Sequence, residues 1–192
     1  GAAIAANFAV LAVGTDTSTS VRGPADYNGI VGLRPTTGLI SRDGIAPKNL
    51  NFDSAGPMAR SVTDMAQMLS TIAFKDAADE LGLRVWDEMG KRYPVKSGHL
   101  DFTQYLDAGA LKGKKLGIVR DFFGGDPEID ALAEQAIAQM RRLGATTVDI
   151  RLDASFVKHY LGGGNRDIRR LSDYRFRADW ERYLATFKDP KL

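Results

Sequence analysis

The 192-residue sequence contains no cysteine, and its charges nearly cancel. The missing thiols exclude disulfide bonds, thiolate catalysis and sulfur-ligated metal sites, but they do not separate a cytoplasmic from a secreted protein, so localisation stays open. The 26 basic and 24 acidic residues are interspersed along the chain. No basic stripe of the kind that binds nucleic acid stands out, and we expect no nucleic-acid partner.

Histidine is scarce as well. The two histidines, His99 and His159, lie in polar stretches, which favours surface positions over a Ser-His-Asp triad with its positioned imidazole. No cluster of histidines and carboxylates has the spacing of metal ligands. Residues 162–164 are glycines, but the preceding strand and the lysine of a phosphate-binding loop are missing. We therefore expect no metal and no cofactor.

No apolar run is long enough to cross a membrane. The longest opens the chain over residues 1–14, whereas a membrane-spanning helix needs ~20 residues. This run indicates core elements whose sheet neighbours precede Gly1, and the ending Lys188–Leu192 has no closing element. We expect a fragment of a longer protein. An exposed apolar run of this kind also leaves self-association into a homo-oligomer open.

Periodicity predicts alternating helices and strands. Residues 2–6 favour a helix, the run FAVLAV over residues 8–13 predicts a strand buried on both faces, and residues 30–34 predict another strand. A short helix is predicted from Val21 to Tyr27. Ser61–Asp64 forms a capping box that should open a helix ending near Phe74.

The second half of the chain holds the clearest structural unit. Strand patterns over residues 115–119 and 146–152 flank a helix capped by Asp126 and ended by Gly144, which predicts a βαβ unit with parallel strands. The predicted division of the chain is a signature segment (1–74), a connecting region with one short helix and glycine or proline breaks (75–113), the βαβ unit (114–152) and a helical segment broken at Gly162–Gly164 (153–192).

The strongest candidate for chemistry is the stretch GTDTSTSVR, residues 14–22. It should lie where a strand ends and a helix starts, and unpaired N–H groups at a helix start stabilise developing negative charge. A serine there serves acyl transfer, in which the charge develops on a tetrahedral oxyanion. The alternative is that the small polar residues only form a turn and cap the helix, with Asp16 or Ser18 in that role.

The stretch GTDTSTSVRGPADYNGIVGLRPTTGLISRDGIAP, followed by DSAGPMARSVTDMAQML, resembles the amidase signature family. The likeness is dense from Ala2 to about Ala73, looser over residues 101–152 and weak beyond. It implies an α/β fold with a mixed, mostly parallel sheet flanked by helices. It also implies a serine hydrolase that cleaves linear amides through an acyl-serine intermediate, with a small-molecule amide as substrate.

The resemblance also assigns residues. The family's catalytic triad is a serine, a second serine in a cis peptide and a lysine, and the nucleophile's position is Ser20. Backbone amides of the loop form the oxyanion hole, which falls on Thr17, Ser18, Thr19 and Ser20 itself. Asp16 and Arg22 would hold the loop in shape, and Asp53 belongs to a stretch for which only a structural role is implied.

Two departures from the family pattern affect these assignments. Ser18-Thr19 replace the usual Gly-Gly, and a β-branched Thr19 would be strained if its position required a positive φ. The cis serine and the lysine belong before Gly1, and no lysine present matches. A serine is a weak nucleophile without its base, so we expect this chain alone to be inactive. A non-catalytic scaffold, or an amidotransferase subunit that passes ammonia to a partner, is the alternative function.

Overall fold

The computed structural model describes residues 1–161 and 165–187 and divides the chain into two compact units. The first unit consists of Gly1–Leu106 together with the chain from Leu171 onward, and the second is Asp107–Arg170. The predicted break at residues 162–164 lies outside the described residues. In the described part of the chain, no helix combines the length and the apolar character needed to cross a membrane.

The first unit carries a three-stranded sheet with helices around it. Its strands are β1, Leu11–Asp16, β2, Val31–Gly32, and β3, Ser54–Ala59. Its helices are α1 (Ala2–Ala5), α2 (Arg22–Tyr27), α3 (Val62–Ile72), α4 (Glu80–Gly90), a 3-10 turn at Thr103–Tyr105, and the later part of α7, a helix that spans Asn165–Leu184.

β3 is the central strand, and it pairs antiparallel with β1 on one side and with β2 on the other. All six of its residues are buried. The sequence did not indicate this strand, because Gly56 and Pro57 argue against a strand interior. Gly56 is required there, since a Cβ atom would lie 2.2 Å from the carbonyl oxygen of Leu33.

The prediction of a doubly buried strand over residues 8–13 was wrong in both extent and burial. β1 begins at Leu11, and its side chains alternate between exposed and more buried positions. Phe8 is 87% exposed and Val13 is 53% exposed. The reason is topological, because β1 lies at the edge of this sheet while the fully buried position belongs to β3.

Helix starts were predicted more accurately, because caps are local. Ser61 caps α3 by accepting the Asp64 N–H, and α4 is the helix of the connecting region. Gly82, predicted as a break, instead lies buried inside α4 against the backbone of Gly38. One turn on, the buried Trp86 donates its indole N–H to the carbonyl of Leu39 at 3.1 Å. Around it lies the apolar core, formed by Leu39, Ile40, Ala55, Leu69, Ala73, Trp86 and Leu100.

The second unit contains the predicted βαβ arrangement. β4 (Lys115–Val119) and β5 (Thr146–Ile150) pair in parallel, and α5 (Pro127–Arg142) connects them after a 3-10 turn at Arg120–Phe122. Asp126 caps α5 through the N–H groups of Glu128 and Ile129, as predicted. α6, Ala154–Leu161, follows. The α/β class is thus confirmed, with antiparallel strands in one sheet and a parallel pair in the other.

Two glycine substitutions should separate a packing requirement from helix propensity. In Gly56→Ala the new methyl group meets the Leu33 carbonyl, so we expect a loss of about 3 kcal/mol in the free energy of unfolding. In Gly90→Ala nothing lies within 4 Å of the added Cβ, and helix propensity predicts a gain of about 0.5–1 kcal/mol. Urea denaturation of both variants measures this, and equal stabilities would contradict the close-approach explanation.

Candidate active site

The predicted nucleophile loop, residues 17–20, connects the end of β1 to the residue before α2. Ser18, Thr19 and Ser20 are exposed and Thr17 is half-buried. Among the described residues, none forms a hydrogen bond with the hydroxyl of Ser20. The loop therefore presents Ser20 at its tip, where a substrate has access to it.

A fully buried carboxylate lies directly beneath this loop. Asp16, the last residue of β1, is 0% exposed. Its Oδ2 accepts the backbone N–H of Val21 at 3.2 Å and Nε of Arg22 at 3.1 Å, and its Oδ1 accepts Nη1 of Arg34 at 3.0 Å. The Arg22 guanidinium also donates to the carbonyl oxygen of Ser18. Asp16 and Arg22 thus contact both ends of the loop, in keeping with the supporting role expected of them.

Asp16 is ionised despite its burial. Burial raises the pKa of this carboxyl, but the hydrogen bonds from Arg22, Arg34 and the backbone N–H groups of Val21 and Arg22 outweigh that effect and hold the pKa below its usual value. Two guanidinium groups share the one buried charge. The carboxylate is therefore a fixed part of the folded chain near neutral pH.

A second carboxylate holds the loop from the side. The hydroxyl of Thr17 donates to Oδ1 of Asp53 at 2.5 Å. Arg34 joins the same two chain segments, because its Nη1 donates to the Asp16 carbonyl and its Nη2 to the Phe52 carbonyl, both at 2.6 Å. The base of the nucleophile loop is therefore tied to residues 52–53 as well as to α2.

The loop backbone offers donors toward the solvent. The N–H groups of Val21 and Arg22, at the start of α2, are both taken by Asp16. In contrast, no described residue accepts the backbone N–H groups of residues 18–20. This corrects the expectation that the helix start supplies the donors, because a buried carboxylate already occupies that position. The free amides belong to the loop itself.

The replacement of Gly-Gly by Ser18-Thr19 causes no backbone strain in this loop. Among the described residues other than glycine, only Asn7 and Ser97 have a positive φ. Because Thr19 is outside this group, its β-branched side chain is compatible with the loop conformation. Glycine is therefore not needed at either position to form this turn.

Two contributors were not recognised from the sequence. Arg34 was interpreted only as part of a turn, and Asp53 was given no contact with the loop. A buried Asp16 needs compensating charge, which was the available signal for a second arginine, but the sequence does not say which one. The two histidines are exposed, as predicted. The described residues include no group of three or more His, Cys, Asp or Glu that would hold a metal.

Comparison with known proteins supports the interpretation of this loop. The family model described as Amidase matches residues 1–160. The chain belongs to the amidase family. A glutamyl-tRNA(Gln) amidotransferase subunit from Cyanothece sp. is 39% identical over 151 residues, which cover 78% of this chain and 29% of the relative. The amidase chain thus spans about 29% of the length of the curated relatives it matches.

Solved structures of amidases have the same fold. The native peptide amidase from Stenotrophomonas maltophilia is 38% identical with a TM-score of 0.78, and the match covers 98% of this chain and 36% of that one. An amidase family protein from Bacillus anthracis is 33% identical, also with a TM-score of 0.78, over 99% of this chain and 34% of that one. The α/β fold of the amidase chain is therefore that of amidase-signature enzymes.

The lowered pKa of Asp16 predicts a contribution to acid stability. A carboxyl whose folded-state pKa lies below its unfolded value stabilises the fold above the unfolded pKa, and this stabilisation is lost as the pH falls through the folded pKa. We expect the free energy of unfolding to fall as the pH drops below about 4, and Asp16→Asn to reduce this slope. Asp26→Asn, at an exposed site, is the control. Equal slopes in wild type and Asp16→Asn would contradict the assignment.

Proposed function

We propose that the full-length protein hydrolyses amide bonds through an acyl intermediate on Ser20. The observation that carries the proposal is the pairing of an exposed serine with adjacent free backbone donors, both held above a buried, charge-compensated carboxylate. A simple turn and helix cap explains Asp16 but not the free amides of residues 18–20. The family membership of the chain supports the same reaction.

In the proposed first step, the Ser20 hydroxyl oxygen attacks the amide carbonyl carbon and forms a tetrahedral intermediate. The backbone N–H groups of Thr17, Ser18, Thr19 and Ser20 are the proposed donors to its oxyanion. One well-placed donor of this kind is worth about 3–4 kcal/mol of transition-state stabilisation. The amine then leaves, and water hydrolyses the acyl-Ser20 ester and regenerates the hydroxyl.

The proposed activation of Ser20 depends on residues that these 192 positions do not supply. By the family resemblance, a lysine accepts the serine proton through a serine in a cis peptide. Such a lysine must be neutral, so its pKa must be lowered by burial. None of the lysines in the sequence matches that residue. We therefore propose that the 192-residue chain keeps the oxyanion donors but is inactive by itself.

The second candidate function is that of an amidotransferase subunit, in which the released ammonia passes to a partner. It is favoured by the names of curated relatives, among them the glutamyl-tRNA(Gln) amidotransferase subunit from Cyanothece sp.. The peptide amidase match covers more of this chain, 98% against 78%, which supports the hydrolase. Both candidates use the same loop and the same acyl-Ser20 intermediate, so they differ in substrate and in partner. We take a small-molecule amide as the substrate class.

Replacement of the nucleophile tests the chemistry shared by both candidates. In the full-length protein, Ser20→Ala should lower kcat for amide hydrolysis by about 10⁶, as loss of a serine nucleophile does in other hydrolases. Ser155→Ala, at an exposed serine in the second unit, should leave kcat unchanged. Assays on aryl, alkyl and peptide amides measure both variants. Activity retained by Ser20→Ala would refute the assignment.

A covalent probe tests the proposed inactivity of the chain alone. A fluorophosphonate reacts only with an activated serine, so the full-length protein should be labelled at Ser20 much faster than the 192-residue chain. The ratio of the two rate constants, followed by mass spectrometry, is the measurement. Equal rates would mean that activation does not require the lysine and the cis serine.

A further inference from the structure

The segment from Lys48 to Asp53, here called the 48–53 loop, satisfies almost all its own N–H groups. Those of Lys48 and Asn49 donate to Oδ2 of Asp53, both at 2.8 Å. Those of residues 51–53 all donate to Asn49, through its side-chain or backbone oxygen. The exception is Leu50, whose N–H reaches outside the loop. Its acceptor is Oδ2 of Asp179, at 3.2 Å and 129 residues away in sequence.

Asp179 lies on α7 and is 1% exposed. Arg175, one turn earlier on the helix, donates to its Oδ1 at 2.9 Å. Burial raises the pKa of Asp179, but the Arg175 guanidinium and the Leu50 N–H outweigh this effect, and the pKa lies below its usual value. A buried carboxylate is costly unless it is paired and hydrogen-bonded. One of its oxygens binds the helix's own arginine, and the other holds the 48–53 loop.

The 48–53 loop in turn contacts the base of the nucleophile loop. Asp53 accepts the hydroxyl of Thr17, and the Phe52 carbonyl accepts Arg34, which also binds Asp16. A continuous series of hydrogen bonds thus connects α7 with the residues under Ser20. Small displacements matter at such a place, because a misplacement of ~1 Å can cost a reaction about 10²-fold.

We infer that Asp179 is a positioning residue for the nucleophile loop, acting through the Leu50 N–H and the 48–53 loop. The inference rests on the proposed function, since the group being positioned is the Ser20 loop. It gives α7, for which the sequence pattern indicated no function, a specific part in the site. Arg42 also holds the 48–53 loop, through the Leu50 carbonyl, so removal of Asp179 should misalign the loop rather than unfold it.

α7 offers a matched control for this test. Arg177 and Glu181 form an ion pair with the same spacing as Arg175 and Asp179, but both of their side chains are exposed. Asp179→Ala and Glu181→Ala therefore remove the same kind of pair from the same helix. Only the first removes the acceptor of the Leu50 N–H.

In the full-length protein, Asp179→Ala should lower kcat about tenfold or more, with a much smaller change in KM. The rate constant for fluorophosphonate labelling of Ser20 should fall by the same factor. Glu181→Ala should match wild type in all three quantities. Asp179→Asn keeps one acceptor without the charge, so its loss should be smaller, and it takes the place of the alanine variant if that does not fold. Equal kcat and labelling rates in Asp179→Ala and Glu181→Ala would overturn the inference.

The double variant Arg175→Ala/Asp179→Ala separates positioning from charge compensation. If Asp179 only neutralises Arg175, removal of both should restore kcat. If it positions the loop, the double variant should stay as slow as Asp179→Ala, because the Leu50 N–H still lacks its acceptor. Restored activity would overturn the inference.

Hydrogen exchange tests the same inference without reference to catalysis. In Asp179→Ala, peptides that cover residues 48–53 and residues 16–22 should both exchange faster than in Glu181→Ala. Faster exchange confined to residues 48–53 would overturn the inference, since the effect would not reach the nucleophile loop. If Ser20→Ala remained active, the proposed function would fail, whereas this comparison would still decide the role of Asp179.

Discussion

The candidate site depends on one buried charge, the carboxylate of Asp16. It lies at the end of β1 with none of its surface exposed, and two arginines and two backbone N–H groups surround it. Breaking a buried ion pair typically costs about 3–5 kcal/mol, so the chain segments that carry these donors are not free to separate. They are the nucleophile loop, the start of α2 and the chain after β2. Asp16 therefore determines the shape of the loop although it lies too deep to contact a substrate.

A second layer of carboxylates extends this arrangement away from the loop. Asp53 and Asp179 each satisfy backbone N–H groups in the 48–53 loop and each bind a further partner, Thr17 and Arg175 respectively. Irregular segments are otherwise mobile, because their N–H groups lack the partners that a helix or sheet supplies. Carboxylate oxygens replace those partners here. The site is thus built on loops that are held almost as firmly as regular structure.

Much of this architecture was predictable from sequence, but the contacts between distant segments were not. The caps Ser61 and Asp126 and the parallel βαβ unit follow from local patterns. The burial of β3 does not, because Gly56 and Pro57 conceal a strand whose need for glycine arises from a carbonyl 23 residues earlier in the sequence. Arg34, Asp53 and Asp179 were missed for the same reason. Their partners lie 18, 36 and 129 residues away, and periodicity carries no information about such pairs.

The contrast between the base and the tip of the nucleophile loop follows from the chemistry of acyl transfer. The groups at the base are satisfied, since Asp16, Arg34 and Thr17 all have partners. The tip is not, since the Ser20 hydroxyl and the amides of residues 18–20 bond to no described residue. An oxyanion is stabilised best by donors that are already in place and need no reorganisation. Donors can be both free and fixed only if other atoms of the same loop are held, and the buried carboxylates of this chain hold them.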